Sequence, residues 1–461
     1  MNKYYAGLIL GGVLVFSGQT QAQDYSAQID ALQNEVLKLK KKMNKNDGKS
    51  KAYFNKGKGL SIKSNDGKYS FQIKGRAMYD ISQYGGFHEG DGVGEGDKFD
   101  GFGAEFRRLR FSFKLKVGDG WSFAFQPDFA ETVGDDSGGE AAGTKGVDVK
   151  DAFIGKKIKG IGNFMFGNVK SAGGMYENTS SNSLLMMERP MYNEFANLAH
   201  RAGIHYDSSG AFGKNLHLRV SMTYGNEGAW RQEQENGDGT ETSFNHSFAA
   251  HYTGNLGKKH QYLIGGSYTI ERPLNDNARS VSFRQQGVHT LGEKIVDTTI
   301  SNISSYSYGG PQAIYTNGPW FASAEYFFIN GNRVDGYETY DDYSARGGSL
   351  YAQYFFNGDA NVKISSKKGK IGGVKCKSPT GCTAFKVMAE SIDARDSELN
   401  GTAGTHAKAF HVGLNHYFNS NVRLMIDAAR GVYIGGHSDF VQRETQRHVA
   451  TSAQARLHLK F

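Results

Sequence analysis

The chain has 461 residues, a formal net charge of +8, 38% hydrophobic residues and a mean hydropathy of −0.54. After residue 20 no stretch approaches the roughly 20 apolar residues that a membrane helix needs, which excludes helical membrane folds beyond the N-terminus. A β-barrel survives that exclusion, because its lipid-facing and lumen-facing residues alternate and cancel in any hydropathy window.

The elements follow in chain order. Met1, Asn2 and Lys3 make a short basic start, Ala6 to Phe16 is apolar, and Thr20 and Ala22 sit at −3 and −1 of a cut after Ala22. This pattern predicts a secretory signal peptide over residues 1–22; an uncleaved anchor is the competing reading. Ile29, Leu32, Val36, Leu39 and Met43 alternate spacings of three and four, which predicts a short α-helical coiled coil over 23–45. A single amphipathic helix at the membrane surface is the alternative. Residues 46–68 are rich in Lys, Gly and Asn and read as a linker with room for one short strand.

From residue 69 the period becomes two. Leu109, Phe111, Phe113, Leu115 and Val117 alternate with Arg108, Arg110, Ser112, Lys114 and Lys116, so the strand has one apolar and one cationic face. Similar patterns near 69–84, 121–129, 147–157, 163–169, 201–207, 216–224, 248–252, 262–270, 313–315, 320–328, 350–356, 383–391, 410–418 and 422–428 lead to a last strand ending at Phe461. Aromatics are abundant (30 Phe, 25 Tyr), Gly is high at 61 and Pro low at 6, which suits many strands with few interrupted ladders. Long and short connections alternate. The expectation is an all-β fold, a 16-stranded antiparallel transmembrane β-barrel over 69–461. The single long connection on the short-turn side is 357–382.

Several stretches resemble the family of phosphate-selective porins O and P. They are Arg107-Arg108-Leu109-Arg110 with Gly120-Trp121-Ser122-Phe123; Val149-Lys150-Asp151-Ala152-Phe153-Ile154-Gly155; and the run from Thr179 through Ser180-Ser181-Asn182 to Met187-Glu188-Arg189-Pro190. Arg201-Ala202-Gly203-Ile204, Ala324-Glu325-Tyr326 and Tyr354-Phe355-Phe356-Asn357-Gly358-Asp359 add to them. The likeness spans 69–461. It implies a homotrimer of barrels in the outer membrane of a Gram-negative bacterium, passing small anions such as phosphate or polyphosphate by passive diffusion. It also implies that the third loop, about 170–200, folds inward with Glu188 and Arg189. The long periplasmic turn would enter the lumen with Lys363, Lys367, Lys368 and Lys370. Glu390 stands where the family commonly has a basic residue.

Arg76, Arg108, Arg110, Lys114, Lys116, Arg219, Arg284, Arg423 and Arg456 fall on the polar parity and are the expected pore-lining, anion-guiding residues. The bland alternative pairs them with Asp80, Asp128, Glu325, Glu390 and Asp427. Cys376 and Cys382 bracket a Pro/Gly turn in an exported segment, which predicts a disulfide. No catalytic constellation, metal-ligand motif, cofactor loop or nucleic-acid signature emerges. The expected partners are outer-membrane lipid, small anions, further copies of the chain and, through the coiled coil, peptidoglycan. Two rival readings remain: a general, weakly selective porin, and a plugged barrel tethered to the cell wall.

Overall fold

A computed structural model describes residues 50–55, 58–89, 97–130, 147–196, 198–224, 244–257, 260–272, 279–284, 294–300, 302–337, 342–357, 360–395, 406–434 and 447–461, with Asp30, Gln33, Asn34, Glu35, Leu37 and Lys38. Those six residues are helical. The expected signal peptide and all five seam residues of the expected coiled coil lie outside the described residues.

The strands are β1 (Ser50–Asn55), β2 (Gly59–Ser64), β3 (Tyr69–Glu89), β4 (Asp97–Val117), β5 (Trp121–Asp128), β6 (Asp148–Ile158), β7 (Gly162–Lys170), β8 (His200–Asp207), β9 (Leu216–Tyr224), β10 (Phe244–Asn255) and β11 (His260–Glu271). They continue with β12 (Arg279–Arg284), β13 (Lys294–Ile300), β14 (Ile303–Asn317), β15 (Trp320–Arg333), β16 (Tyr343–Phe355), β17 (Ala360–Ser365), β18 (Lys370–Cys376), β19 (Cys382–Asp393), β20 (His406–Tyr417), β21 (Val422–Ile434) and β22 (Arg447–Lys460). Sixteen of them form one antiparallel ladder: β3 to β11, β14 to β16 and β19 to β22. The ladder closes where β22 pairs with β3, Leu457 opposite Tyr79. Closure leaves no lipid-facing edge with unpaired backbone groups, the condition for a sheet to span a bilayer. Outward positions such as Phe123, Ile154, Phe166, Ile204, Leu350 and Leu457 are exposed, and their inward neighbours are largely covered.

Three expectations change. The linker carries strands, and β2 pairs with the first barrel strand, Leu60 opposite Ile73. The tenth barrel strand, β14, starts at Ile303 rather than near 313, because Gly309-Gly310-Pro311 lies within it. Pairing to β15 skips Gly310 and Pro311, so the missing proline N–H interrupts the ladder there without ending the strand. The connection between β11 and β14 holds β12 and β13 as a separate hairpin.

Two insertions occupy the lumen. The connection from β7 to β8 folds inward through α1 (Met175–Asn178), a 3-10 turn (Ser181–Ser183) and α2 (Met191–Phe195). The connection from β16 to β19 folds inward as the β17–β18 hairpin, which contacts β11, β14 and β15 as well as α1. Together they bury an apolar core inside the barrel. Met175, Leu184, Leu185 and Met186 of the loop pack with Val362 and Ile371 of the hairpin and with Phe321, Tyr351, Phe355 and Met388 of the wall. A second cluster joins Tyr192 and Phe195 to Tyr306, Phe327, Tyr343 and Tyr433. The remaining lumen, along β3 to β9, is polar.

Candidate functional site

The inward loop is held to the wall by charge. Glu325 accepts hydrogen bonds from the Met175 and Tyr176 N–H groups at 2.6 and 3.2 Å and from the Tyr192 hydroxyl at 3.0 Å. Glu390 accepts from the Met191 N–H at 2.6 Å and faces His411 Nε2 at 2.7 Å. Asp427 accepts from the Met187 N–H at 3.1 Å and pairs with Lys386. From the other sign, Lys386 and Asn415 donate to the Leu185 carbonyl and Arg423 to that of Leu184. These contacts satisfy loop backbone groups that would otherwise be buried without partners. The fit is close at Gly174, where a Cβ would lie 2.2 Å from Glu325 Oε1.

Glu188 is the central tie. Arg108 meets it with two hydrogen bonds, at 2.8 and 2.7 Å, and Arg456 bridges it to Asp80. Burial works to raise the Glu188 carboxyl, and Arg107, Arg108 and Arg456 hold it well below the usual carboxylate range. Arg189 ties the loop to itself, donating to the Tyr176 carbonyl at 2.8 Å and lying 3.3 Å from Glu177. Burial likewise raises Glu177, but Lys170 at 2.7 Å and Arg189 bring it down to about 2.

The polar side of the lumen narrows to a cavity of about 410 Å³ between this loop, the hairpin tip and the wall from β3 to β9. Eleven Lys and Arg line it against five Asp and Glu. Arg76 donates to Ser181 Oγ, Arg219 to Asn178 Oδ1 and Lys370 to the Asn178 carbonyl, each at 2.5 Å. Lys114 and Lys368 are exposed to the cavity. Among the described residues these five cations have no carboxylate within 4 Å. Arg110, by contrast, pairs with Asp128 at 2.5 Å. Burial, then the charges of Lys368, Arg219 and Lys170, push the Lys370 ammonium down to about 7.

The hairpin reaches the cavity by crossing the lumen. Its turn ends at Gly369, in the left-handed region at φ 54°, where a Cβ would sit 2.5 and 2.7 Å from the Nδ1 atoms of His251 and His217. Only glycine tolerates both the conformation and the approach. Lys367 and Lys368 are exposed on this turn, and Lys363 is exposed lower on β17, lining a separate cavity of about 320 Å³ with Arg423, His458 and Lys460. Cys376 and Cys382 are bonded to each other and tie the returning strand of the hairpin to the start of β19.

The expected pore cations therefore divide. Arg76, Arg108, Arg110, Lys114 and Arg219 line the cavity. Lys116 lies on the inward parity near the short-turn end, exposed but outside the cavity. Arg423 and Arg456 do not line the narrow part: both are buried beneath the loop, 5% and 1% exposed, and divide their hydrogen bonds between the loop and the wall residues His458 and Asp80. Arg284 is not on the barrel wall, since it ends β12 in the separate hairpin. Parity counting missed Arg107, because a bulge sets Met78 opposite Arg108 but Tyr79 opposite Phe106. Lys150 escaped for the same reason, next to the shift at Gln126 and Pro127.

A closed sixteen-strand barrel with an inward third loop and a charged narrowing is the architecture of an outer-membrane porin. The profile described as phosphate-selective porin O and P matches residues 71–461, and the chain belongs to that family. It is 24% identical over 394 residues to Porin O of Pseudomonas aeruginosa, covering 79% of this chain and 84% of that protein. Among solved structures, the outer membrane channel DcaP of Acinetobacter baumannii aligns with a TM-score of 0.51 at 11% identity, over 87% of this chain and 99% of that one. An anion-selective porin from Comamonas acidovorans aligns at 0.46 and 10% identity, over 85% and 100%.

Proposed function

We propose that this porin passes small anions of the phosphate class, selected at the narrowing by cations with no carboxylate partner. One observation carries the reading: Arg76, Lys114, Arg219, Lys368 and Lys370 converge on one 410 Å³ cavity, none of them neutralised by a described carboxylate. A ring of fixed cations with low-dielectric walls raises local anion concentration, and guanidinium forks match phosphate oxygens. Glu390 does not oppose this reading, because it sits under the loop on the Met191 N–H.

Planar-bilayer recording tests it. We expect a reversal potential of anion sign in a KCl gradient and block of chloride current by added phosphate. Arg76→Ser with Lys114→Ser weakens both. Large steps with no ion preference and no phosphate block would make this a general porin, and no steps at all would favour the plugged, tethering barrel. We further propose that the mature chain is a homotrimer whose N-terminal segment, after removal of residues 1–22, forms a periplasmic coiled coil available to peptidoglycan. Cross-linking of the full chain against a chain lacking 23–45 tests that part. Equal trimer yield would remove the coiled coil from assembly.

A further inference from the structure

We infer that the outer wall carries a binding site for a phosphorylated glycolipid of the outer leaflet, on the face formed by β11, β14 to β16 and β19 to β21. The outward surface there is a groove of about 1070 Å³. Small side chains at Ala313, Ala324 and Ala389 form its floor, and Tyr326, Leu350 and Phe410 stand at its sides. At the long-loop end of this face three cations point away from the lumen: Arg346 on β16, Lys408 on β20 and Arg430 on β21, all exposed.

Lys408 lies opposite Val432, and Arg430 opposite Phe410, so the two cations are diagonal neighbours on adjacent strands, about 7–8 Å apart at Cα. Arg346 is opposite Asp393, whose carboxylate is committed to Arg395 at 2.8 Å; His406 faces Asp393 from β20. No described carboxylate pairs with Arg346, Lys408 or Arg430. An outward Lys or Arg is costly at the bilayer midplane and close to cost-free at the interface. Lys408 and Arg430, on adjacent strands with no acid between them, repel one another until an anion bridges them, while Arg346, two strands from Lys408 across β19, adds to the positive field at this end of the face. Phosphate suits the set, taking a fork from arginine and a point charge from lysine.

The cations distinguish this face from the rest of the apolar outer wall, and its width admits the chains. Seven adjacent strands at about 4.8 Å spacing present an apolar strip roughly 29 Å wide. That width suits a lipid with several acyl chains beneath one phosphorylated head better than a two-chain phospholipid. The long loops mark this end as the outer leaflet.

The test is native mass spectrometry of the full chain in detergent with purified bis-phosphorylated lipid A. The Arg346→Ser/Lys408→Ser/Arg430→Ser variant should lose at least tenfold in affinity. Lys156→Ser should lose nothing; it removes an outward cation at the opposite end, 4.6 Å over the Trp121 ring. Heat-modifiable migration verifies the barrel in each variant. If the triple variant fails to fold, Lys408→Gln and Arg430→Gln singly carry the test, each with an expected loss of three- to tenfold. Equal binding by the variants, by phosphate-free lipid A or by phosphatidylglycerol would overturn the site. A change of oligomeric mass in the triple variant would overturn it too, assigning the face to a second copy of this chain.

Discussion

Along β3 to β9 the inward positions carry Arg76, Arg108, Arg110, Lys114, His217 and Arg219, whereas along β14 to β21 they carry Tyr306, Ile314, Phe327, Ile329, Tyr351 and Met388. One barrel thus has a wet wall and a dry wall. The dry wall buries the inward loop and the hairpin by packing, with its carboxylates used to catch loop N–H groups. The wet wall lines the narrowing with cations, of which Lys114 is exposed, Arg76 and Arg219 are hydrogen-bonded to the loop, and Arg108 and Arg110 are paired with Glu188 and Asp128. The narrowing depends on both, because Lys368 and Lys370 meet the wall cations only while the hairpin and the loop are packed on the dry wall. The boundary between the walls is where Glu188 reaches back to Arg108 and Arg456.

The sharpest way to break the division is therefore Glu188→Ala. It leaves two buried guanidinium groups without their shared carboxylate, a change that costs about 3–5 kcal/mol. The expected readouts are a lower temperature for the heat-modifiable gel shift and larger, noisier conductance steps as the loop detaches. A variant with wild-type conductance and thermal shift would show that the apolar packing alone holds the loop. Next in size, Tyr351→Ala on the dry wall removes a fully buried ring and costs about 3 kcal/mol, in the range for aromatic truncation in a core. The midpoint of thermal unfolding should fall while the reversal potential stays where it was. A shift in ion selectivity with no change in stability would erase the distinction between the two walls.

The opposite signature is expected from Lys114→Ser. The side chain is exposed in the lumen and has no described partner, so stability should change by no more than about 0.5 kcal/mol. One charge in a water-filled narrowing is worth about 1 kcal/mol at contact distance, so the anion-to-cation permeability ratio should drop by up to about fivefold. Reversal potentials in a salt gradient measure it, and an unchanged ratio would remove Lys114 from the selecting set.

The sequence states much of this division, but unevenly. The sixteen wall strands can be counted in the sequence, most of them as two-residue periods, because lipid on one side and water on the other impose unlike faces. The dry wall is where that logic weakens. Tyr326-Phe327-Phe328-Ile329 is apolar at every position, since Phe328 faces out and Phe327 and Ile329 face a protein core inside the barrel. Such a run signals a strand buried on both sides, and it could have located the docking face of the inward loop. The roles of single cations are less legible. Arg456 and Lys114 occupy the same parity, yet one is locked between Asp80 and Glu188 and the other meets solvent. Which of these applies depends on where a loop some 270 residues earlier folds back, and periodicity does not carry that information. The bulges at Met78/Tyr79 and Gln126/Pro127 hide Arg107 and Lys150 for a different reason, since a single extra residue inverts the parity.

The smallest expected effect concerns pH and the tip of the hairpin, which like the inward loop touches both walls. Lys370 is held near 7 by burial and by its cationic neighbours, far below an ordinary lysine. Below that pH it carries a proton and adds a charge to the narrowing. Above it the amine is neutral and that charge is gone. Anion selectivity should accordingly be highest near pH 6 and decline through a midpoint near 7. The change should be smaller than that from Lys114→Ser, because Lys368, Arg76 and Arg219 keep their places throughout. Lys370→Arg should stay charged and flatten the curve at its acid-side level, whereas Lys370→Met should flatten it at the alkaline level. Reversal potentials between pH 5.5 and 8.5 distinguish these cases. A curve that survives both substitutions would move the titration to another group and leave Lys370 with a purely structural part, its hydrogen bond to the Asn178 carbonyl that joins hairpin to loop.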